Sequence, residues 1–117
     1  MLTIRSEQMA AFSDYMLASF TRRLRDHLRS RFPAGTAAMS DEALEVAIVV
    51  GMDRAKGYGV TSENDIRRFM ECAFLYNPHF DTDPATAWAG DILRRDDLSG
   101  SAKTDLIHAR ALAEEEA

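Results

Sequence analysis

Cysteine is almost absent from this sequence of 117 residues, which contains one, at position 72. A single cysteine excludes an internal disulfide and a cysteine-rich zinc site, and it fits a reducing setting. Long apolar runs are also missing. The aliphatic block Val46–Val50 is far too short to span a membrane, and no basic start followed by an apolar block marks a secretory signal. We therefore expect a cytoplasmic protein with no membrane segment.

Strand-like alternation of apolar and polar residues is missing as well, and so are internal repeats and low-complexity segments. Apolar residues instead recur at spacings of three and four, which is typical of helices. Pro33, Pro78 and Pro84 mark breaks between these segments, and Pro33–Thr36 is interpreted as a loop. The predicted helices run from about Ser6 to Arg31, from near Ser40 to Lys56, from Ser62 to Tyr76, from Pro84 to about Arg94, and from Ser99 or Ser101 to about Glu114.

The block Phe69–Tyr76 is the most apolar part of these helices, since Glu71 is its one charged residue. A helix that is apolar on nearly every side is normally buried among others. The length fits one domain. The sequence therefore predicts an all-α fold, a single domain over residues 1–117 with a bundle of about five helices around a central apolar helix at residues 62–76.

The neighbouring helices show one apolar side each. Gly51 lies in the middle of the second helix, where we expect it to let another helix approach closely. Contacts in the last helix are predicted from Leu106, Ile107, Ala109, Ala111 and Leu112. The predicted apolar side of the first helix consists of Met9, Phe12, Met16, Phe20, Leu24, His27, Leu28 and Arg31.

The net charge of −5 is unevenly distributed. Residues 1–39 carry six arginines against three acidic residues, whereas residues 40–117 carry eight basic and sixteen acidic residues. Such asymmetry indicates either a charged partner or attraction between the two halves. The acidic total makes general nucleic-acid binding an unfavoured interpretation.

The segment 77–83 holds His79 with two carboxylates close by, Asp81 and Asp83. A calcium loop that began at Asp81 would need glycine at Thr86 and an acidic residue at Ile92, so the pattern fails. No two histidines have the spacing that puts both on one helix face. We therefore expect Asp83 to cap a helix and Phe80 to enter the core, with no metal or cofactor.

Catalytic groups are also few. Cys72 lies inside the apolar block without a basic neighbour, so burial should raise its pKa and leave it inert. Glu71 is expected to pair with Arg67 one turn earlier. No Gly-rich phosphate loop, nucleophile elbow or zinc-protease helix is found. The sequence thus favours a protein that is not an enzyme.

Arg22, Arg25 and Arg29 form a stripe on the outer side of the first helix, with Tyr15 nearby. One interpretation is a solvated face that pairs with acidic residues elsewhere in the chain. The other is a surface for an acidic protein partner, since tyrosine and arginine are favoured at interfaces. The candidate partner-binding residues are Tyr15, Arg22, Arg25, Arg29, His79 and Asp81.

A resemblance covers nearly the whole chain, and Arg54–Asp65, Phe80–Pro84 and Trp88–Leu93 carry most of it. These segments resemble a group of small α-helical bacterial proteins encoded beside effector or toxin genes of type VI secretion and similar delivery systems. The shared residues pack and cap helices, so the resemblance implies a fold and carries over no catalytic residue. Asn77-Pro78-His79 replaces the group's usual glycine before the Phe-Asp pair, which alters the expected loop.

Three hypotheses follow for the function. The first is a non-enzymatic accessory module that binds another protein, which the resemblance suggests is a secreted effector or toxin, in an adaptor, chaperone or immunity role. The second is a metal-dependent or carboxylate-based enzyme that uses His79, Asp81 and Asp83. The third is a self-associating subunit, a homodimer paired through an apolar side of the second or third helix. None of the three involves nucleic acid or a membrane.

Overall fold

A computed structural model describes the backbone of residues 2–116 and the side chains of residues 16–115. Within the described residues the fold is all-α and contains no strand, as the sequence predicted. The helices are α1 (Leu2–Arg31), α2 (Pro33–Thr36), α3 (Asp41–Gly57), α4 (Glu63–Leu75), α5 (Ala87–Leu93) and α6 (Gly100–Glu116), with a 3-10 turn at Pro84–Thr86 before α5.

Side-chain oxygens cap the N-termini of four of these segments. Such caps are needed because the first backbone N–H groups of a helix have no acceptor within the helix itself. Ser40 accepts from Ala43 N at 3.0 Å, and Ser62 accepts from Asp65 N at 3.2 Å. The other two are Asp83, which accepts from Ala85 N, and Ser99, which accepts from Ala102 N. Ser99 rather than Ser101 is therefore the cap of α6.

The boundaries differ from the predictions at three places. The predicted start of a helix at Pro84 is too early, because Pro84–Thr86 form a 3-10 turn and α5 begins at Ala87. The prediction of a loop at Pro33–Thr36 is wrong, because these residues form α2, with proline at its first position. The predicted start of the first helix at Ser6 is also too late, since α1 already begins at Leu2.

The chain divides into two compact units, Met1–Glu45 and Val46–Ala117. In the first unit the apolar side chains of Phe20, Leu24, Leu28 and Leu44 are buried. Met16, which was predicted on the apolar side of this helix, is 45% exposed, and that prediction is wrong. The predictions for Met9 and Phe12 concern side chains outside the described residues.

The second unit is built around α4, whose Phe69, Met70 and Cys72 are buried. The prediction that the whole apolar block is buried is wrong in part, since Phe74, Leu75 and Tyr76 are half-buried. Helices α4 and α6 run in the same direction, because Asp65 binds Ser101 and Thr104 while Tyr76 binds Glu114.

Glycines allow two of the close approaches in this unit. A Cβ on Gly51 would lie 2.1 Å from Met70 Sδ, so the predicted close approach of another helix at Gly51 is confirmed. A Cβ on Gly100 would lie 2.1 Å from the carbonyl oxygen of Gly59, which itself has a φ of 79°. Only glycine fits without a shift in the neighbouring atoms at these two positions.

Helix α6 buries a more polar side than predicted. Ile107 and Ala111 are buried as expected, but Leu106 and Leu112 are 43% and 42% exposed, and Ala109 is also exposed. Thr104 and Lys103 take their place. The prediction for Leu106, Ala109 and Leu112 is therefore wrong. Lys103 and Thr104 can be buried instead because they find hydrogen-bond partners inside, which offsets the cost of burying them.

Candidate functional site

The arginine stripe of α1 is largely engaged within the first unit. Arg25 donates to Asp26 at 3.1 Å and lies within 4.0 Å of Asp41 and 3.8 Å of Glu45. These carboxylates raise the pKa of Arg25, chiefly through the Asp26 hydrogen bond. Arg22 is exposed. The three arginines therefore do not form one uniform surface.

Arg29 fixes the connection between α1 and α3. Its guanidinium donates to the carbonyl oxygens of Thr36 at 3.0 Å and Met39 at 2.8 Å. It also donates to Asp41 Oδ1 through Nε at 3.1 Å and Nη2 at 2.8 Å. Planar guanidinium groups suit such multiple contacts. Arg29 thus has a structural role in this connection. The side chain of Tyr15, the fourth predicted residue on this helix, lies outside the described side chains.

The segment 77–83 is held by a single arginine from α3. Arg54 Nη2 donates to Asp81 Oδ1, and Arg54 Nη1 lies 2.5 Å from Nδ1 of His79. The structure therefore brings the two predicted residues of this segment together through a third residue. His79 is exposed, whereas Asp81 is 3% exposed.

Asp81 has further internal partners. The hydroxyl of Tyr58 donates to Asp81 Oδ2 at 2.6 Å, and Arg94 Nη1 donates to the Asp81 carbonyl oxygen at 3.3 Å. Burial, followed by this bond to Asp81, raises the pKa of Tyr58. A buried carboxylate needs such partners to remain charged. Asp81 is thus used to anchor the loop and is not presented to solvent.

The rest of the segment is also held by its own chain. Asp83 caps the turn at Ala85 N and accepts from Asn77 Nδ2 at 2.8 Å. Phe80 is fully buried, and Thr86 donates to its carbonyl oxygen at 2.6 Å. The expected capping by Asp83 and insertion of Phe80 are confirmed. Gly90 completes the packing, since a Cβ there would lie 2.5 Å from the Asp81 carbonyl oxygen.

The described residues contain no group of three or more His, Cys, Asp or Glu side chains placed to hold a metal ion. Cys72 is buried, and burial raises the pKa of its thiol to about 12, so the expectation of a raised pKa is confirmed. Glu71 pairs with Arg67 at 3.1 Å, which confirms that prediction as well.

An aromatic cluster joins the ends of α4, α5 and α6. The rings of Tyr76 and Trp88 meet edge to face at 5.7 Å, and Arg110 lies 4.8 Å from the Trp88 ring centre. Tyr76 donates to Glu114, and burial followed by this bond raises the pKa of Tyr76. These residue types are common at interfaces, but here the polar groups of Tyr76 and Arg110 already bind Glu114.

The outer side of α3 shows a different arrangement. Val46, Val49 and Val50 are 57%, 47% and 54% exposed, and they lie within one turn of each other. We call these three residues the valine face. We did not predict this exposed face from the sequence, because we expected a single apolar side on the helix. The run Val46–Val50 carried the signal, because five consecutive aliphatic residues in a helix cannot all point inward.

None of the described helices has both the length and the apolar content needed to cross a membrane. Comparisons with protein-family models, with curated proteins and with solved structures found no match for this chain.

Proposed function

We propose that this chain is a non-enzymatic protein-binding module and that the valine face of α3 is its main contact surface. The carrying observation is the exposure of three adjacent valines on one helix. Exposed apolar residues scattered singly are normal on protein surfaces, whereas contiguous exposed apolar patches are associated with interaction sites. Helix propensity does not account for these valines on α3, since valine is a weaker helix former than alanine.

The polar groups support binding more than catalysis. Asp81 is occupied by Arg54 and Tyr58, and Asp83 is occupied by Ala85 N and Asn77. Carboxylates that are already saturated with donors are poor bases or metal ligands. This argues against the alternative of an enzyme built on His79, Asp81 and Asp83. Exposed Arg22 and His79 stay candidates for secondary partner contacts.

The resemblance to proteins encoded beside type VI secretion effectors supports a secreted effector or toxin as the partner. The module then acts in the cytoplasm as an adaptor, chaperone or immunity factor. This part of the proposal depends on the resemblance, whereas the contact surface depends on the exposed valines.

A photocrosslinking residue at position 49 tests the surface. Benzoylphenylalanine in place of Val49, in the cells that make the protein, should give a discrete crosslinked product identifiable by mass spectrometry. The matched control is position 106, because Leu106 is similarly exposed at 43% but lies on α6. The proposal fails if position 49 gives no product or if both positions give the same ones.

A further inference from the structure

The charges at the ends of the valine face indicate what kind of partner segment it fits. Within α3, Glu42 precedes Val46 by four residues and Asp53 follows Val49 by four, so both lie on the side of the helix that carries the valines. Both acidic residues are exposed. The apolar stripe is therefore bracketed by a negative charge at each end.

Helix α3 itself carries two basic residues, Arg54 and Lys56. Arg54 is on the same helix, but its guanidinium is bound by Asp81 and His79. Lys56 is exposed and lies close to the end of α3. The unit Val46–Ala117 carries thirteen acidic and eight basic residues, a formal charge of −5. Its field attracts cations to this unit.

A second copy of the chain is a poor match for the stripe. In a symmetric antiparallel pairing of two α3 helices with the valines aligned, Glu42 of one copy faces Asp53 of the other. In a parallel pairing each acidic residue faces its own counterpart. Opposed like charges disfavour both arrangements.

Resting on the proposed function, we infer that the valine face binds a basic amphipathic helix of another protein, whose apolar stripe is flanked by lysine or arginine. The apolar residues of that helix cover the valines, and its cations meet Glu42 and Asp53. A helix laid into an apolar surface is a common mode of recognition. Three valines form a much smaller patch than the roughly 800 Å² per partner of a stable complex, so the contact is weak on its own.

Two labelled, stapled helical peptides test this inference by fluorescence anisotropy on the full chain. They share one Leu/Ile stripe and differ only in having Lys or Glu at the flanking positions. The Lys peptide should bind about tenfold more tightly than the Glu peptide at low salt, and added salt should reduce the difference. Replacing Val49 and Val50 with Gln should abolish binding, whereas replacing Leu106 and Leu112 with Gln should leave it unchanged.

Changing Glu42 and Asp53 to Lys should reverse the preference between the peptides, and the milder pair Glu42→Gln and Asp53→Asn should remove it. Equal binding of both peptides would overturn the basic-partner inference, as would failure of both peptides to bind. Light scattering that shows a dimer lost on changing Val49 and Val50 would identify a second copy as the occupant. A crosslinked product at position 49 together with any of these results leaves the binding module intact, whereas no product contradicts both proposals.

Discussion

Arg54 of α3 and Asp81 of the segment 77–83 form an ion pair that joins residues 27 positions apart in the chain. The side chain of Asp81 is 3% exposed and that of Arg54 is 23% exposed. Removing one member of a buried pair leaves an uncompensated charge, which costs far more than the pair itself contributes. This pair therefore controls where the loop lies.

We expect Arg54→Met to lower the free energy of unfolding by about 3 kcal/mol, near the low end for buried pairs because the guanidinium is partly exposed. Urea denaturation at pH 7 measures this change. The control is Arg95→Met, which removes an exposed pair with Asp97 and should cost less than about 1 kcal/mol. Equal effects in the two variants would show that Asp81 does not depend on Arg54.

Gly100 packs its backbone against Gly59, and this predicts a strong effect of a single methyl group. Gly100→Ala should destabilise the protein by about 1–3 kcal/mol, because the added Cβ meets backbone atoms that cannot rotate away. Gly51→Ala should cost less, since the flexible Met70 side chain can move. Gly57→Ala has open space and should stabilise by about 0.5–1 kcal/mol. Thermal unfolding of the three variants gives the order of their stabilities. A Gly100→Ala variant as stable as the wild type would contradict the close packing of Gly100 against Gly59.

Asp65 gives the protein an acid-sensitive contact between α4 and α6. Burial alone would raise the pKa of its carboxyl, but hydrogen bonds involving Ser101, Ser62 and Thr104, aided by Arg68, outweigh it and lower that pKa. A lowered pKa in the folded state contributes stability above the unfolded value of about 3.9, and this contribution is lost as the pH falls through the folded value.

Thr104→Val keeps the shape of the side chain and removes its 2.8 Å bond to Asp65. It should cost about 1.5–3 kcal/mol at pH 7, the range for hydrogen bonds to charged groups. The difference from the wild type should shrink when urea denaturation is repeated well below pH 4, where Asp65 becomes protonated. A difference that does not change with pH would show that the bond does not favour the charged carboxylate.

The hydrogen bonds of Arg29 to the connection 33–40 predict that replacing this residue loosens that connection. Arg29→Ala should expose the connection 33–40 to proteases and lower stability by about 1–3 kcal/mol, because two backbone carbonyl groups lose their donor. Arg22→Ala, at an exposed position, should change stability by less than about 0.5 kcal/mol. Limited proteolysis and denaturation together check both. Charge reversal at Arg22 alone is consequently a clean test of the arginine stripe, since changes at Arg25 or Arg29 would also remove internal bonds.

The local elements of the fold were largely predictable. The cap at Asp83 follows from neighbouring residues in the chain, and the position of Gly51 inside a helix indicated a close approach there; the structure confirms both. The candidate site was less predictable. His79 and Asp81 were both predicted as partner-binding residues, yet Asp81 is buried and His79 is exposed. Nothing within a few residues of Asp81 indicates that Arg54 and Tyr58 surround it.

The sequence by itself determined most of the helices and most of their ends, because helix periodicity, capping and proline geometry act over a few residues. Tertiary structure alone decided which polar side chains are buried with hydrogen-bond partners and which apolar side chains remain exposed. Asp65 and Lys103 are buried because Thr104 and the Tyr58 carbonyl oxygen are there to bind them. Residues 46–50 of α3 are all aliphatic, but only one side of a helix can face the core. Ile48 and Ala55 lie on the buried side, so the three valines stay exposed.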